Sequence, residues 1–276
     1  MIKKILKFFK KNWKTVLMVL VGAIVIVILV MALGGKKNAS NEETVPTTTL
    51  SQNGPRFNPK NVSENDTTVS YTIEATYPVF KGIANTEAET KVNQLLADNV
   101  NGKTAAFKTG VAERKTNTSI PQNLKSSLII NYQVEYLSDK LVSILFNEES
   151  MLAGDAHPGH ETSTFNYNLE SNRAIALTDL FAEGSGYLTF LSTNTIKYLT
   201  NLNISNSEMI QQGAGADIKN YSNFYITDQA IAFVFDYYTV APGAAGMQKV
   251  YFTFENLKNF LIQDGILKTL LVNNVI

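Results

Sequence analysis

No cysteine occurs anywhere in the 276-residue sequence. That absence rules out disulfides, thiolate-bound zinc, a cysteine nucleophile and a lipidated-cysteine anchor. Histidine is almost as scarce, with two residues, so any histidine-dependent triad would draw on His157 or His160. There is no Gly-x-Ser-x-Gly elbow, no phosphate loop and no dinucleotide fingerprint. A disulfide-free chain of this kind fits a bacterial cell surface.

Net charge is also absent, at zero overall, but the balance is uneven. Residues 1–37 hold eight lysines and no acid, which leaves 16 basic against 24 acidic residues in 38–276, a formal charge of −8. An acidic body favours cationic partners and argues against nucleic acid. The apolar fraction of 45% is enough for a real core and excludes a wholly disordered chain.

The basic N-terminus belongs to a membrane. Residues 15–33 run for 19 positions without a charge. At 1.5 Å per residue they span roughly 28 Å, close to the ~30 Å hydrocarbon core. Six lysines precede the run and two follow it, which predicts a cytoplasmic tail at 1–14 and an extracytoplasmic remainder. Ala32, Leu33 and Gly34 would also suit signal cleavage, but the run exceeds the roughly 7–15 residues of a signal core and favours a retained single-pass anchor.

Residues 34–65 are rich in Asn, Thr, Ser, Pro and Gly and read as a flexible linker. From 69 the pattern turns β-branched and aromatic, a strand over 69–80. A helix is predicted over 86–113, capped at Asn85 or Thr86, with Val92, Leu95, Leu96 and Val100 at helical spacing. A hairpin follows over 126–149, turning at 138–140, with Leu128, Ile130, Tyr132, Val134 and Tyr136 on one face. Residues 161–170 read as a strand, 186–202 as an amphipathic helix and 223–254 as strands with a turn at Asp228-Gln229. Residues 255–262 read as a closing helix. Strands in runs joined by hairpins predict an α+β fold of mostly antiparallel sheets with packed helices, preceded by one transmembrane helix. The folded part divides into 66–150 and 151–276.

Two loops concentrate chemistry. The first, GDAHPGHE, holds Asp155, His157, His160 and Glu161, all able to ligate a metal, which raises a metal-dependent hydrolase. His-x-x-His off a helix is a weak motif, and a polar loop shaped by Gly154, Pro158 and Gly159 explains it as well. The second, 236–246, sets Asp236, Tyr237, Tyr238 and Pro242 around a small-residue turn. Tyrosines bury area and keep a polar handle, as recognition surfaces require. A plain hairpin connection using its glycines for unusual φ angles is the alternative.

GDAHPGH, FNYNL, IALTDLF, NFYIT, FDYYTVAPGAAG and VYFTFENLKNFL, in that order, resemble a bacterial extracytoplasmic domain family. Its members include the C-terminal domain of the lysozyme-sensing anti-sigma factor RsiV and the non-catalytic part of the peptidoglycan deacetylase PdaC. Gly154-Asp155-Ala156-His157 resembles the family's Gly-Gly-Ala-His-like loop, and 235–246 resembles its aromatic strand and Pro/Gly turn. The resemblance implies a membrane-anchored binding module, not an enzyme, with no cofactor, and lysozyme or a wall glycan as ligand. A structural envelope module is a further reading. With about 14 residues before the anchor and no deacetylase domain in view, neither sigma-factor binding nor deacetylation is carried over. The expected ligand-binding residues are Asp155, His157, His160, Asp236, Tyr237, Tyr238 and Pro242.

Overall fold

A computed structural model describes residues 54–275 except residue 122. The expected tail at 1–14, the anchor at 15–33 and the start of the linker lie outside the described residues. Among the described residues, no helix is long and apolar enough to cross a membrane.

Six strands form the first sheet in the order β1-β2-β3-β4-β5-β6. They are β1 (Arg56–Asp66), β2 (Tyr71–Lys81), β3 (Ser126–Leu137), β4 (Leu141–Met151), β5 (Gly159–Asn168) and β6 (Arg173–Ala174). β1 corrects the reading of 56–65 as linker. Its residues are mostly exposed, as on a sheet edge, so no apolar alternation betrays it. Pro59, which would break a central ladder, is tolerated there.

Helix α1 (Thr86–Thr116) begins where the Asn85 side chain accepts from the Ala88 N–H at 3.1 Å, with Glu87 and Glu89 in the positive first turn. It runs straight through Gly102, where a Cβ would meet nothing within 4 Å. Because α1 crosses over between β2 and β3, these strands pair in parallel, while the other pairs are antiparallel. Ala88, Val92, Leu96, Val100, Phe107 and Val111 bury one helix stripe against Ile73, Phe80, Leu128, Ile130, Val142, Ile144 and Phe146. β4 runs to Met151 and pairs with β5, so the sheet continues through the division expected at 150.

A register shift between Val134 and Tyr136 marks a bulge at Glu135. The extra residue turns Tyr136 away from the Leu128–Val134 face and onto the second core. Burial pushes the Glu135 carboxyl above its usual range, with nearby Lys249 opposing.

The second sheet, β7-β8-β9, is antiparallel: β7 (Phe224–Ile226), β8 (Ala230–Phe235) and β9 (Gln248–Thr253). β8 is buried at every position, which is why AIAFVF shows no alternation. One face of this sheet packs on α2 (Tyr187–Asn201) and α3 (Ser207–Ala214). The short α4 (Phe254–Leu257) and the C-terminal α5 (Lys268–Val275) complete that core. α4 is shorter than the predicted 255–262 helix. Residues 260–262 instead return to Leu180–Ala182, with Ala182 donating to Phe260 O and Ile262 to Leu180 O.

The opposite face of β7–β9 lies on the first sheet. Leu145 packs with Tyr225, Ala232 and Val234. Beside them the buried Ser143 hydroxyl donates to Asn166 Oδ1 (2.6 Å) and accepts from the Ile226 N–H (2.8 Å), while Asn166 Nδ2 donates to Phe224 O (2.7 Å). Ser143→Ala therefore strands a buried N–H and an amide, and should cost about 1–3 kcal/mol. Urea unfolding of the full chain checks this; a loss under ~0.5 kcal/mol would mean the network is incidental.

Candidate functional site

Antiparallel pairing of β4 and β5 sets Glu148 opposite Glu161 and Glu149 opposite His160. Side-chain alternation then sends these two pairs to opposite faces. Glu148 and Glu161 face α1, where Lys103 Nζ reaches both, at 2.6 and 2.8 Å. Burial disfavours the Lys103 charge, but the hydrogen bonds it donates to Glu148 and Glu161, with their negative charges, together outweigh it and raise its pKa. Glu149 and His160 face the second sheet, with His160 Nδ1 3.8 Å from Glu149 Oε2.

On that face the start of β5 meets the 236–246 loop. The His160 ring stacks on Tyr237, with centroids 4.6 Å apart and planes inclined by 16°. Next along β5, the Thr162 N–H donates to Asp236 Oδ2 at 3.0 Å, and Asp236 Oδ1 accepts from the Tyr237 N–H at 2.8 Å. The Asp236 carboxylate thus closes its own turn and ties it to the outer edge of β5. Asn223 Nδ2 holds the Thr162 carbonyl at 3.2 Å. Asn223 Oδ1 and Thr162 Oγ1 are buried beside it with no protein partner among the described residues.

At Tyr237 the chain turns, with the Thr239 N–H donating to the Asp236 carbonyl at 3.1 Å. Tyr238 has φ +63° and is 63% exposed. Its ring covers Gly243, where a Cβ would collide with it. A left-handed conformation costs a non-glycine residue roughly 1–2 kcal/mol. Pro242 is exposed and opens a 3-10 turn at Gly243–Ala245, while Val240 and Ala241 are buried beneath. On the α3 side, a Cβ on Gly213 would strike the Thr239 carbonyl, so only glycine admits so close an approach.

Of the expected site residues, His160, Asp236 and Tyr237 come together, and Tyr238 and Pro242 lie exposed in the same loop. Asp155 does not join them. Its carboxylate accepts from the Leu152 N–H at 3.0 Å and pairs with Arg114 at 2.7 Å, fastening its loop to the end of α1. His157 is exposed, with Nδ1 3.2 Å from the Pro158 carbonyl. The four candidate metal ligands of this segment therefore do not converge. Glu161 points to Lys103 on the far face, Asp155 is paired with Arg114, and no metal-ligand cluster forms among the described residues. Glu149, Thr162 and Asn223 were missed. Only the β4–β5 register could have picked out Glu149, and Asn223 has no local signal.

A double-mutant cycle of His160→Ala and Tyr237→Ala should give a coupling of about 0.5–1.5 kcal/mol in urea unfolding. Strict additivity would mean the rings only happen to lie side by side.

Comparison with known proteins agrees with this layout. The family "Deacetylase PdaC" matches residues 63–160, and "Protein of unknown function (DUF3298)" matches 178–255. The peptidoglycan-N-acetylmuramic acid deacetylase PdaC of Bacillus subtilis (strain 168) is 29% identical over 144 residues, which is 51% of this chain and 31% of that protein. The chain thus matches under a third of its curated relative's length. A DUF3298 family member from Bacteroides fragilis superposes with TM-score 0.59 at 20% identity, over 79% of this chain and 98% of that one. Another, from Pseudomonas aeruginosa PAO1, gives 0.52 at 12% identity, over 75% and 95%. At those identities the two structures speak to the fold alone. The matches support a PdaC/DUF3298-like domain family.

Proposed function

Starting from a chain with PdaC-like and DUF3298 matches in sequence, we propose a membrane-anchored, extracytoplasmic binding module of the bacterial cell envelope. Its ligand is a cationic protein of the lysozyme type. Residues 15–33 are its anchor, with the N-terminus cytoplasmic. The reading rests on one observation above the others: the start of β5 and the 236–246 loop, far apart in sequence, converge at the His160–Tyr237 stack, with exposed Tyr238 in the same loop as Tyr237. Tyrosine faces and Glu149 suit a basic partner, and the acidic body would steer it. Both Asp236 oxygens accept backbone N–H groups, which suits a loop clamp better than a general base.

Calorimetric titration of the full chain in detergent with a c-type lysozyme tests this. Saturable binding near one-to-one is expected, weaker at higher salt, with Tyr237→Ala losing about tenfold in affinity. No binding at low or moderate salt overturns the lysozyme reading, and saturable binding of a chito-oligosaccharide in its place would assign the loops to wall glycan. Tyr238→Gly should lower affinity while leaving stability within ~0.5 kcal/mol, because relief of the left-handed strain offsets the lost ring contact. A large drop in the unfolding midpoint would make Tyr238 a structural residue instead.

A further inference from the structure

We propose that the open edge of β9 and the adjoining flank of α2 form a docking groove for an extended, uncharged peptide segment of a partner protein, added as a fourth strand to the β7–β8–β9 sheet. This groove is separate from the His160–Tyr237 loops and does not depend on their reading.

β9 ends its sheet. The Phe254 N–H donates to Gln229 O at 3.0 Å, just beyond the β8–β9 ladder. Backbone direction alternates along an antiparallel strand, so Phe252, Val250 and Gln248 also bond toward β8. Lys249, Tyr251 and Thr253 aim their N–H and C=O groups outward. No backbone partner meets Lys249 or Tyr251 on that side among the described residues. The protections common on edges are a proline, a bulge, a cover or an outward charge. The first sheet's edge strand β1 has Pro59. β9 has no proline, and its lysine turns aside, with the Lys249 ammonium 5.5 Å from the centre of the Tyr225 ring.

Beside this edge, Phe190, Asn194 and Tyr198 recur every fourth residue along α2 and wall a groove of about 340 Å³ with Val250, Phe252 and Asn256. Tyr198 is 47% and Tyr251 55% exposed. Val250 and Phe252 face the helices, whereas Tyr251 faces the other way, its hydroxyl 2.7 Å from that of Tyr225. An added strand would place alternate side chains on the α2 wall and on Tyr251, while its backbone took up the open donors and acceptors. Among the described residues no acidic or basic side chain lines the groove, so a charged residue there would lose its hydration without a partner. A ladder of free backbone groups calls for another backbone, which favours a peptide over a saccharide.

The test screens short linear peptides displayed on phage against the full chain in detergent, with Tyr251→Pro as counter-target. Proline at 251 removes an outward N–H and no β8 bond. Enriched peptides should be uncharged and alternating. Each should lose about tenfold in affinity to Tyr251→Pro, to Tyr198→Ala and to N-methylation along one strand edge, and stay within about twofold when the other edge is methylated. Tyr198→Ala lies on the helix and leaves the ladder whole, so it decides the matter if the proline variant unfolds. No enrichment over the counter-target overturns the proposal. So does binding indifferent to Tyr198→Ala and to backbone methylation, or chitotetraose binding that Tyr198→Ala abolishes, which would make the groove a sugar site.

Discussion

The contact on which the arrangement depends is the buried polar seam between the two sheets. β7 is three residues long and too short to stand by itself. It is fixed because Ser143 and Asn166, projecting from β4 and β5 of the first sheet, satisfy its backbone from the side, and Thr164 Oγ1 accepts from the Phe224 N–H at 3.2 Å. Apolar contact at Leu145 gives the interface area, but area alone would allow the sheets to slide. Directed hydrogen bonds inside a low-dielectric layer choose one register. That register brings residues 236–237 against β5, since Asp236 caps the Thr162 N–H in the same row as Thr164 and Asn166. The candidate site is a downstream product of sheet-to-sheet alignment.

How much of this was legible in the sequence depended on whether a segment's burial was local or borrowed. β2, α1, the β3–β4 hairpin and β8 carry their own apolar content, and each was read close to its bounds. β1 was hidden because an edge strand with Pro59 looks like a linker. The bulge at Glu135 changes which face Tyr136 takes, and no period-two pattern reports an inserted residue. α3 follows a run of Asn and Ser whose composition suggests a loop, and its start is set by one cap, Asn206 accepting from the Met209 N–H at 2.8 Å.

The same distinction explains the site. Loop chemistry singled out 155–160 and 236–242, because breakers beside His, Asp and Tyr are unusual in a strand-rich chain. Which members would meet was set by strand parity. His160 and Glu161 are adjacent in sequence and on opposite faces of the sheet, so a motif read as one cluster of ligands separates into a ring that stacks and an acid bound to Lys103. Asp155, four residues past β4, is captured by Arg114 at the far end of α1.

β4 is shared property. Val142, Ile144 and Phe146 enter the α1 core, while Leu145 and Ser143 enter the layer beneath the second sheet. Neither half can lose its structure without withdrawing one side of that strand from the other. Two separate family matches thus lie on a single compact body, and cutting the chain between them would leave each fragment with an apolar face and no cover. Partial unfolding would start elsewhere, at β1 and the C-terminal helix. The protein can therefore give way at its margins while β5 and the 236–246 loop stay in register.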